Sequence, residues 1–274
     1  MAIIFGVLVG LALGLTGGGG SILAVPLLVY GLGVEPKNAV VLSLAVVGLT
    51  ASLGAVAAWR QHLLEKRAAL IFAAGGILAA PFGVMLGDQF TDNVLILAFA
   101  VLMLAVATRM LINALKYPDE AKVVRGDFAT GSELDMGTVC QYSHDGRLRM
   151  TAPCGFVLVL LGLLTGVLSG LFGVGGGFLI VPALMLVTQM GIHRAVATSL
   201  LVITLIGLTG MASTLFSARS IDWLLASLFL AGGLGGMLLG RRLAQRLAGP
   251  ALQTVFAIII VAVAGYMLVN EIVA

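Results

Sequence analysis

Charge is what this chain most lacks: 15 Lys and Arg with 12 Asp and Glu make up only 10% of its 274 residues, against 60% hydrophobic ones. A soluble domain carries about 25% charged and roughly 45–50% apolar residues. A soluble enzyme, a nucleic-acid binder and a disordered chain are therefore excluded, and a mean hydropathy of +1.15 calls for lipid around most of the chain. Histidine (3) and cysteine (2) are equally scarce. Cys140 and Cys154 form no metal pattern and are too few for a disulfide framework, so they read as incidental. Carboxylates are missing from the middle of every apolar run: Glu35, Glu65, Asp88, Asp92, Asp222 and Glu271 fall near ends or loops. No nucleophile–base or metal constellation can assemble inside such runs, which argues against an enzyme and leaves no cofactor expected. Met1 to Gly14 carries no Lys or Arg, and its apolar pattern continues through Tyr30, so this end reads as membrane domain rather than as a cleavable leader.

What is present is a repeat. Gly10, Gly14, Gly17, Gly20 and Pro26 recur as Gly166, Gly170, Gly173, Gly176 and Pro182, an offset of 156 that holds through Ala39/Ala195, Ser43/Ser199 and Gly54/Gly210. After one inserted residue, Gly75-Gly76 matches Gly232-Gly233 and Asn113 matches Asn270. Greasy helices match by chance in Leu and Val, not in registered Gly, Pro, Ser and Asn. The chain therefore reads as a tandem duplication: 1–115, a linker over 116–151, and 152–274.

Each half breaks into the same pieces. Two short apolar stretches (Ile3–Leu15 and Ser21–Leu32 in the first half) flank a glycine run. Three longer ones follow near Lys37–Trp59, Arg67–Leu86 and Asn93–Lys116, each close to the roughly 20 residues that span a bilayer. The second half divides near Phe156–Leu171, Gly177–Gln189, His193–Phe216, Asp222–Leu239 and Gly249–Asn270. The short pair forms either one broken spanning helix or a re-entrant hairpin, and charge separates the two. With hairpins, each half crosses three times and the second half is inverted. Arg60, Lys66, Arg67, the linker basics, Arg194, Arg241, Arg242 and Arg246 then share one face, leaving Lys37 and Arg219 opposite. The positive-inside rule favours that arrangement. The predicted fold is an all-α polytopic membrane protein of two inverted repeats, each a glycine-broken re-entrant pair plus three spanning helices. The linker is expected in the cytoplasm and both termini outside.

The linker is the longest polar region and reads as a solvated connector. Its Asp145-Gly146 carries a tight-turn signal, with Val139, Gln141, Leu148 and Met150 flanking as the strands of a small β-hairpin. Trp59, Tyr117, Trp223 and Tyr266 suit interface anchoring. Arg109 reads first as snorkelling to the interface, and Lys37 and His193 as interfacial caps.

The glycine runs carry the functional argument. Gly10/Gly14 and Gly166/Gly170 have the small-xxx-small spacing of close helix packing. Gly17 to Gly20 and Gly173 to Gly177 are longer runs that interrupt helices within apolar sequence. Unpaired backbone in hydrocarbon costs several kcal/mol per group, so these breaks must face protein or a water-lined cavity. Helices restarting at Ser21 and Gly177 would aim free N–H groups and positive dipole ends at the breaks. The candidate anion site is Gly18, Gly19, Gly20, Gly175, Gly176 and Gly177, with hydroxyls from Thr16, Ser21, Ser43, Thr198 and Ser199. A dinucleotide fingerprint fits poorly, because Gly173-Val-Gly175 lacks the preceding soluble strand and the later ribose-binding acid.

Gly-x-Gly-Gly-Gly running on to Pro182, then Ala195-Val-Ala-Thr198-Ser199-Leu, resembles the TauE/SafE family of membrane permeases. The first copy is Gly17-Gly-Gly-Gly-Ser, Pro26 and Ala39-Val-Val-Leu42-Ser43-Leu, with Leu42 where the second has Thr198. The likeness covers both halves. It implies transport of small sulfur-containing anions such as sulfite, sulfoacetate or other organosulfonates, usually as export across the bacterial inner membrane. An anion channel, or an uptake permease for another small organic anion, would use the same glycine-lined site. The absence of a buried carboxylate or histidine relay favours export or facilitated diffusion, since moving one negative charge out of an inside-negative cell gains about 2.3 kcal/mol per 100 mV.

Overall fold

A computed structural model describes residues 1–116, 140–142, 148–149, 152–188, 190–215, 222–247 and 250–273. Ten α-helices account for nearly all of it. The first half contains α1 (Ala2–Thr16), α2 (Ala24–Leu32), α3 (Pro36–Arg60), α4 (Lys66–Gln89) and α5 (Asp92–Lys116). The second contains α6 (Ala152–Phe172), α7 (Gly177–Thr188), α8 (Ile192–Leu215), α9 (Trp223–Leu247) and α10 (Pro250–Val273). Among the described residues six helices, α3, α4, α5, α6, α8 and α9, are long and apolar enough to cross a membrane. Punctuation in the sequence sets their ends. Gly17 and Gly33 close α1 and α2 in the left-handed conformation, at φ 71° and 68°. Pro36 opens α3 at a position whose N–H has no helical acceptor.

Two starts differ from the sequence reading. The helix α6 begins at Ala152 rather than near Phe156, because Pro153 falls in the first turn, where proline is tolerated. The helix after the first glycine run begins at Ala24, not Ser21, and a 3-10 turn over Gly19–Leu23 precedes it. There the Ser21 hydroxyl donates to the Gly18 carbonyl at 2.7 Å and the Ser21 N–H donates to the same oxygen. Those bonds hold the chain in the tighter i to i+3 pattern.

At each glycine run the chain turns back on itself. Gly20 packs on the backbone of Ala12 and Leu13, and Gly31 meets the Phe5 ring, so α2 returns along α1. Likewise Gly176 lies beside the Thr165 carbonyl and the Ser169 side chain. A helix continuing straight on would put Gly176 about 16 Å from Thr165.

The halves interlock rather than sit side by side. Ile3 meets Gly232, Val7 meets Gly236 and Leu11 meets Gly240, so α1 runs parallel to α9 of the other half. Val159 on Gly75 and Val167 on Gly83 repeat the arrangement for α6 and α4, at positions related by the sequence offsets. Between these pairs α3 and α8 run antiparallel, with Gly48 on Gly207 and Leu44 beside Gly210. Close packing is the role of Gly10, Gly14, Gly166 and Gly170, as their spacing suggests. A Cβ at Gly10 would run into the Gly233 carbonyl, and one at Gly166 into the Gly76 carbonyl. Helices of equal apolarity gain little by hiding from lipid, so backbone contact of this kind supplies the adhesion.

The linker region supplies one correction. Cys140 and Cys154 are not incidental: they form a disulfide with Cα atoms 5.1 Å apart, and both are buried. Beside it, the two-residue strands β1 (Gln141–Tyr142) and β2 (Leu148–Arg149) pair antiparallel, Gln141 with Arg149 and Tyr142 with Leu148. The Asp145-Gly146 turn signal, Val139, Met150 and the charged residues of 117–139 lie outside the described residues.

Candidate functional site: two glycine breaks

Both breaks open with the same turn. Gly17 and Gly173 adopt φ 71° and 70°, and their N–H groups donate to Leu13 and Ser169 carbonyls at 2.8 Å each. These are equivalent residues in the two halves. A side chain is strained at that φ, and space excludes it too: a Cβ at Gly17 would strike Val196, and one at Gly173 the Val40 backbone, again equivalents. The breaks then diverge. Gly18 leads into the 3-10 turn, whereas Gly175 and Gly176 stay left-handed at φ 68° and 67° before α7 starts at Gly177.

The two breaks meet inside the protein. A Cβ built on Gly177 would lie 2.8 Å from the Gly18 Cα, so the chains touch backbone to backbone. Gly17, Gly18, Gly20 and Gly173 to Gly177 are buried. Two of their carbonyls are held across the repeat boundary. Ser43 on α3 donates to the Gly173 carbonyl, and Ser199 on α8 donates to the Gly17 carbonyl at 2.8 Å. Each hydroxyl also reaches its own helix, at Val40 and Val196. These two serines, registered in sequence, pin the opposite break and are wholly buried.

The other hydroxyls expected here are also engaged with protein. Thr16 donates to the Ala12 carbonyl at 2.8 Å and accepts the Gly20 N–H at 3.0 Å. Thr198 accepts the N–H of Glu65 at the start of α4, at 3.2 Å. Arg194 pairs with the Glu65 carboxylate at 3.1 Å, so α8 grips α4 twice. By the sequence offsets, Asn38, Leu42 and Asp222 are the residues equivalent to Arg194, Thr198 and Glu65. There Asn38 turns to Glu35, and Asp222 caps its own helix through Leu224 and Leu225. The Thr198/Leu42 difference between the repeats is thus a tie made at only one of two equivalent places among the described residues.

Sequence reasoning missed Ser169. It is fully buried, lies beside Gly176, and its hydroxyl has no hydrogen-bond partner. Thr16, Thr165, Thr188, Thr204 and Thr209 all satisfy theirs on the carbonyl four residues back. A buried donor left unpaired costs about 1–3 kcal/mol; Thr50 on α3 is left in the same state, and Ser169 differs from it in lying beside a break. The signal was readable, since the equivalent residue in the first half is Leu13. Electrostatically the site is made of dipoles: every buried polar side chain among the described residues belongs to Ser or Thr. Arg109 is exposed.

The profile of the family described as "Sulfite exporter TauE/SafE" matches residues 2–267. A probable membrane transporter protein of Xylella fastidiosa (strain 9a5c) is 40% identical over 96% of this chain and 92% of its own length. A probable membrane transporter protein of Bacillus subtilis (strain 168), YunE, is 27% identical over 98% of this chain and 96% of its own. No solved structure matches the chain.

Proposed function

The chain belongs to the TauE/SafE sulfite exporter family of membrane transporters, and from that premise we propose that it carries small sulfur-containing anions, such as sulfite or organosulfonates, outward across the bacterial inner membrane. The observation that carries this reading is the meeting of two glycine breaks, backbone to backbone at Gly18 and Gly177, inside the bundle. Such a site offers amide dipoles and hydroxyls to a solute and no countercharge. It suits a compact anion that must be released again on the far side.

The mechanism follows from the packing. The two halves act as inverted repeats with re-entrant hairpins at α1–α2 and α6–α7, a reading supported by the antiparallel α3–α8 pair and by the return of α2 along α1. Alternating access is then a rocking of one set of helices against the other about the breaks. Opening moves Ser43 and Ser199 off the Gly173 and Gly17 carbonyls and turns their hydroxyls toward the solute. Thr16, Gly18, Gly19, Gly20, Ser21, Gly175, Gly176 and Gly177 line the same place. Thr198 serves the side closure, and Ser169 completes the donor set. With Ser and Thr as the buried polar side chains among the described residues, none of these offers a proton relay, and the membrane potential drives anions out.

Purified protein in liposomes tests this. Sulfite and sulfonates should show saturable flux with counterflow, and carboxylates should compete poorly. Flux without counterflow makes it a channel, whereas transport of carboxylates alone, or concentrative uptake driven by a proton gradient, overturns the proposal. Sidedness is proposed from the charge bias, with the linker inside and the termini out. Against that, a disulfide persists only in an oxidising compartment. Alkylation in intact cells decides: free thiols at Cys140 and Cys154 place the linker inside, and an oxidised pair reverses the orientation.

A further inference from the structure

Away from the breaks, the flank where α3, α4 and α8 meet holds a groove of about 360 Å³. Val56, Trp59, Lys66, Leu70, Leu201 and Thr204 line it. Its two wall hydroxyls, Ser52 and Thr204, are spent on the Leu49 and Leu200 carbonyls of their own helices at 2.6 and 2.7 Å. The wall is therefore apolar to a guest, which suits a hydrocarbon chain and not a polar solute. One end differs. There the Lys66 ammonium sits 5.0 Å from the Trp59 ring centroid, and exposed Arg60 and Arg67 flank the pair in sequence. The acid beside them, Glu65, is already committed to Arg194 at 3.1 Å. Among the described residues Arg60 and Arg67 make no ion pair, so the mouth is net positive.

We infer that this groove is a binding site for an anionic phospholipid, one acyl chain lying along Val56, Leu70 and Leu201 and the phosphate resting on Lys66 against the Trp59 ring. The tryptophan marks the depth at which a headgroup sits. An uncharged groove would take any lipid. The three cations make this one choose by headgroup, and each near-surface charge contributes about a 5-fold preference.

Native mass spectrometry of the purified full-length protein, titrated with phosphatidylglycerol and phosphatidylethanolamine of identical chains, measures that choice. Phosphatidylglycerol should be retained at least about 10-fold more tightly. Lys66→Ala should lower its affinity about 5-fold and leave phosphatidylethanolamine unchanged, while Lys66→Arg keeps the preference. Leu201→Trp, which fills the groove, should remove the tight phosphatidylglycerol site altogether. Glycerol 1-phosphate at millimolar concentration should not displace the lipid, because the chain contributes to its hold. Equal retention of the two lipids overturns the inference. So does a Lys66→Ala protein whose preference is undiminished, or tight phosphatidylglycerol binding that survives Leu201→Trp. None of these readouts involves transport, so the result stands apart from the identity of the transported anion.

Discussion

The reciprocal serine bonds should contribute to stability in a way that separates them from the other hydroxyls in the bundle. Ser43→Ala and Ser199→Ala each remove a donor from a carbonyl, at Gly173 and Gly17, that lies at a break in the helical hydrogen-bond pattern. An acceptor left bare in a buried position costs about 1–3 kcal/mol. Side-chain bonds within membrane bundles average about 0.6 kcal/mol and reach about 1.7. Because these carbonyls lie outside regular helix, the upper part of the membrane range applies, about 1–1.7 kcal/mol each. That is about a 5- to 18-fold drop in the folded-to-unfolded ratio. Thr204→Val is the control: its residue is also buried but its hydroxyl serves a carbonyl within regular helix, at Leu200, so its loss should cost about 0.6 kcal/mol or less. Equilibrium unfolding in mixed micelles, followed by circular dichroism, measures all three variants. If the serine variants are no less stable than Thr204→Val, the carbonyls do not depend on them. If instead Ser199→Ala raises KM several-fold with unchanged stability, the hydroxyl serves the solute in the resting state, and the pinning role fails.

Other expectations follow from the same contacts. Gly177→Ala puts a methyl 2.6 Å from Ile203 and 2.8 Å from Gly18, so it should abolish flux in liposomes, whereas Gly265→Ala, with open space around it, should be silent or stabilising by up to about 1 kcal/mol. Ser169→Ala should raise KM for the transported anion with little loss of stability, and Ser169→Thr should retain part of the affinity; titration of initial flux decides. The Glu65–Arg194 pair is half exposed, with side chains 22% and 34% accessible, so Glu65→Gln should cost only about 0.2–1 kcal/mol. It should nevertheless shift cysteine accessibility on that side of the bundle, and unchanged labelling would deny it a gating role. Reducing Cys140–Cys154, which closes a loop with a separation of 14, should loosen the linker by roughly 3 kcal/mol, read by hydrogen exchange.

Much of this was legible because glycine and proline are informative where almost everything else is Leu, Val or Ala. The registered glycines pointed to the duplication and the breaks, and their spacing to close helix packing, but not to α9 and α4 as the partners of α1 and α6. The registered serines singled out Ser43 and Ser199 but said nothing of their partners, the Gly173 and Gly17 carbonyls. A hydroxyl in an apolar run has the same composition signal whether it meets a solute, its own helix or a carbonyl of the other repeat. The 3-10 turn after Gly18 was missed because Ser21 reads equally as a helix cap and as a turn former. Cys140 and Cys154 were missed because two cysteines carry no spacing signal until the linker brings them together. Ser169 was overlooked because attention fell on positions the repeats share, and this hydroxyl matters where they differ.

The exchange of partners between the halves has a consequence for biosynthesis. When α1 leaves the translocon, its packing partner α9 has not yet been translated, and α4 must likewise wait for α6. The amino-terminal half therefore dwells in the bilayer with its small-residue stripes open and its glycine turn unpinned, vulnerable to quality-control proteases and to pairing with the wrong chain. Neither half should accumulate when expressed alone, and two fragments divided in the linker should rescue one another when made together.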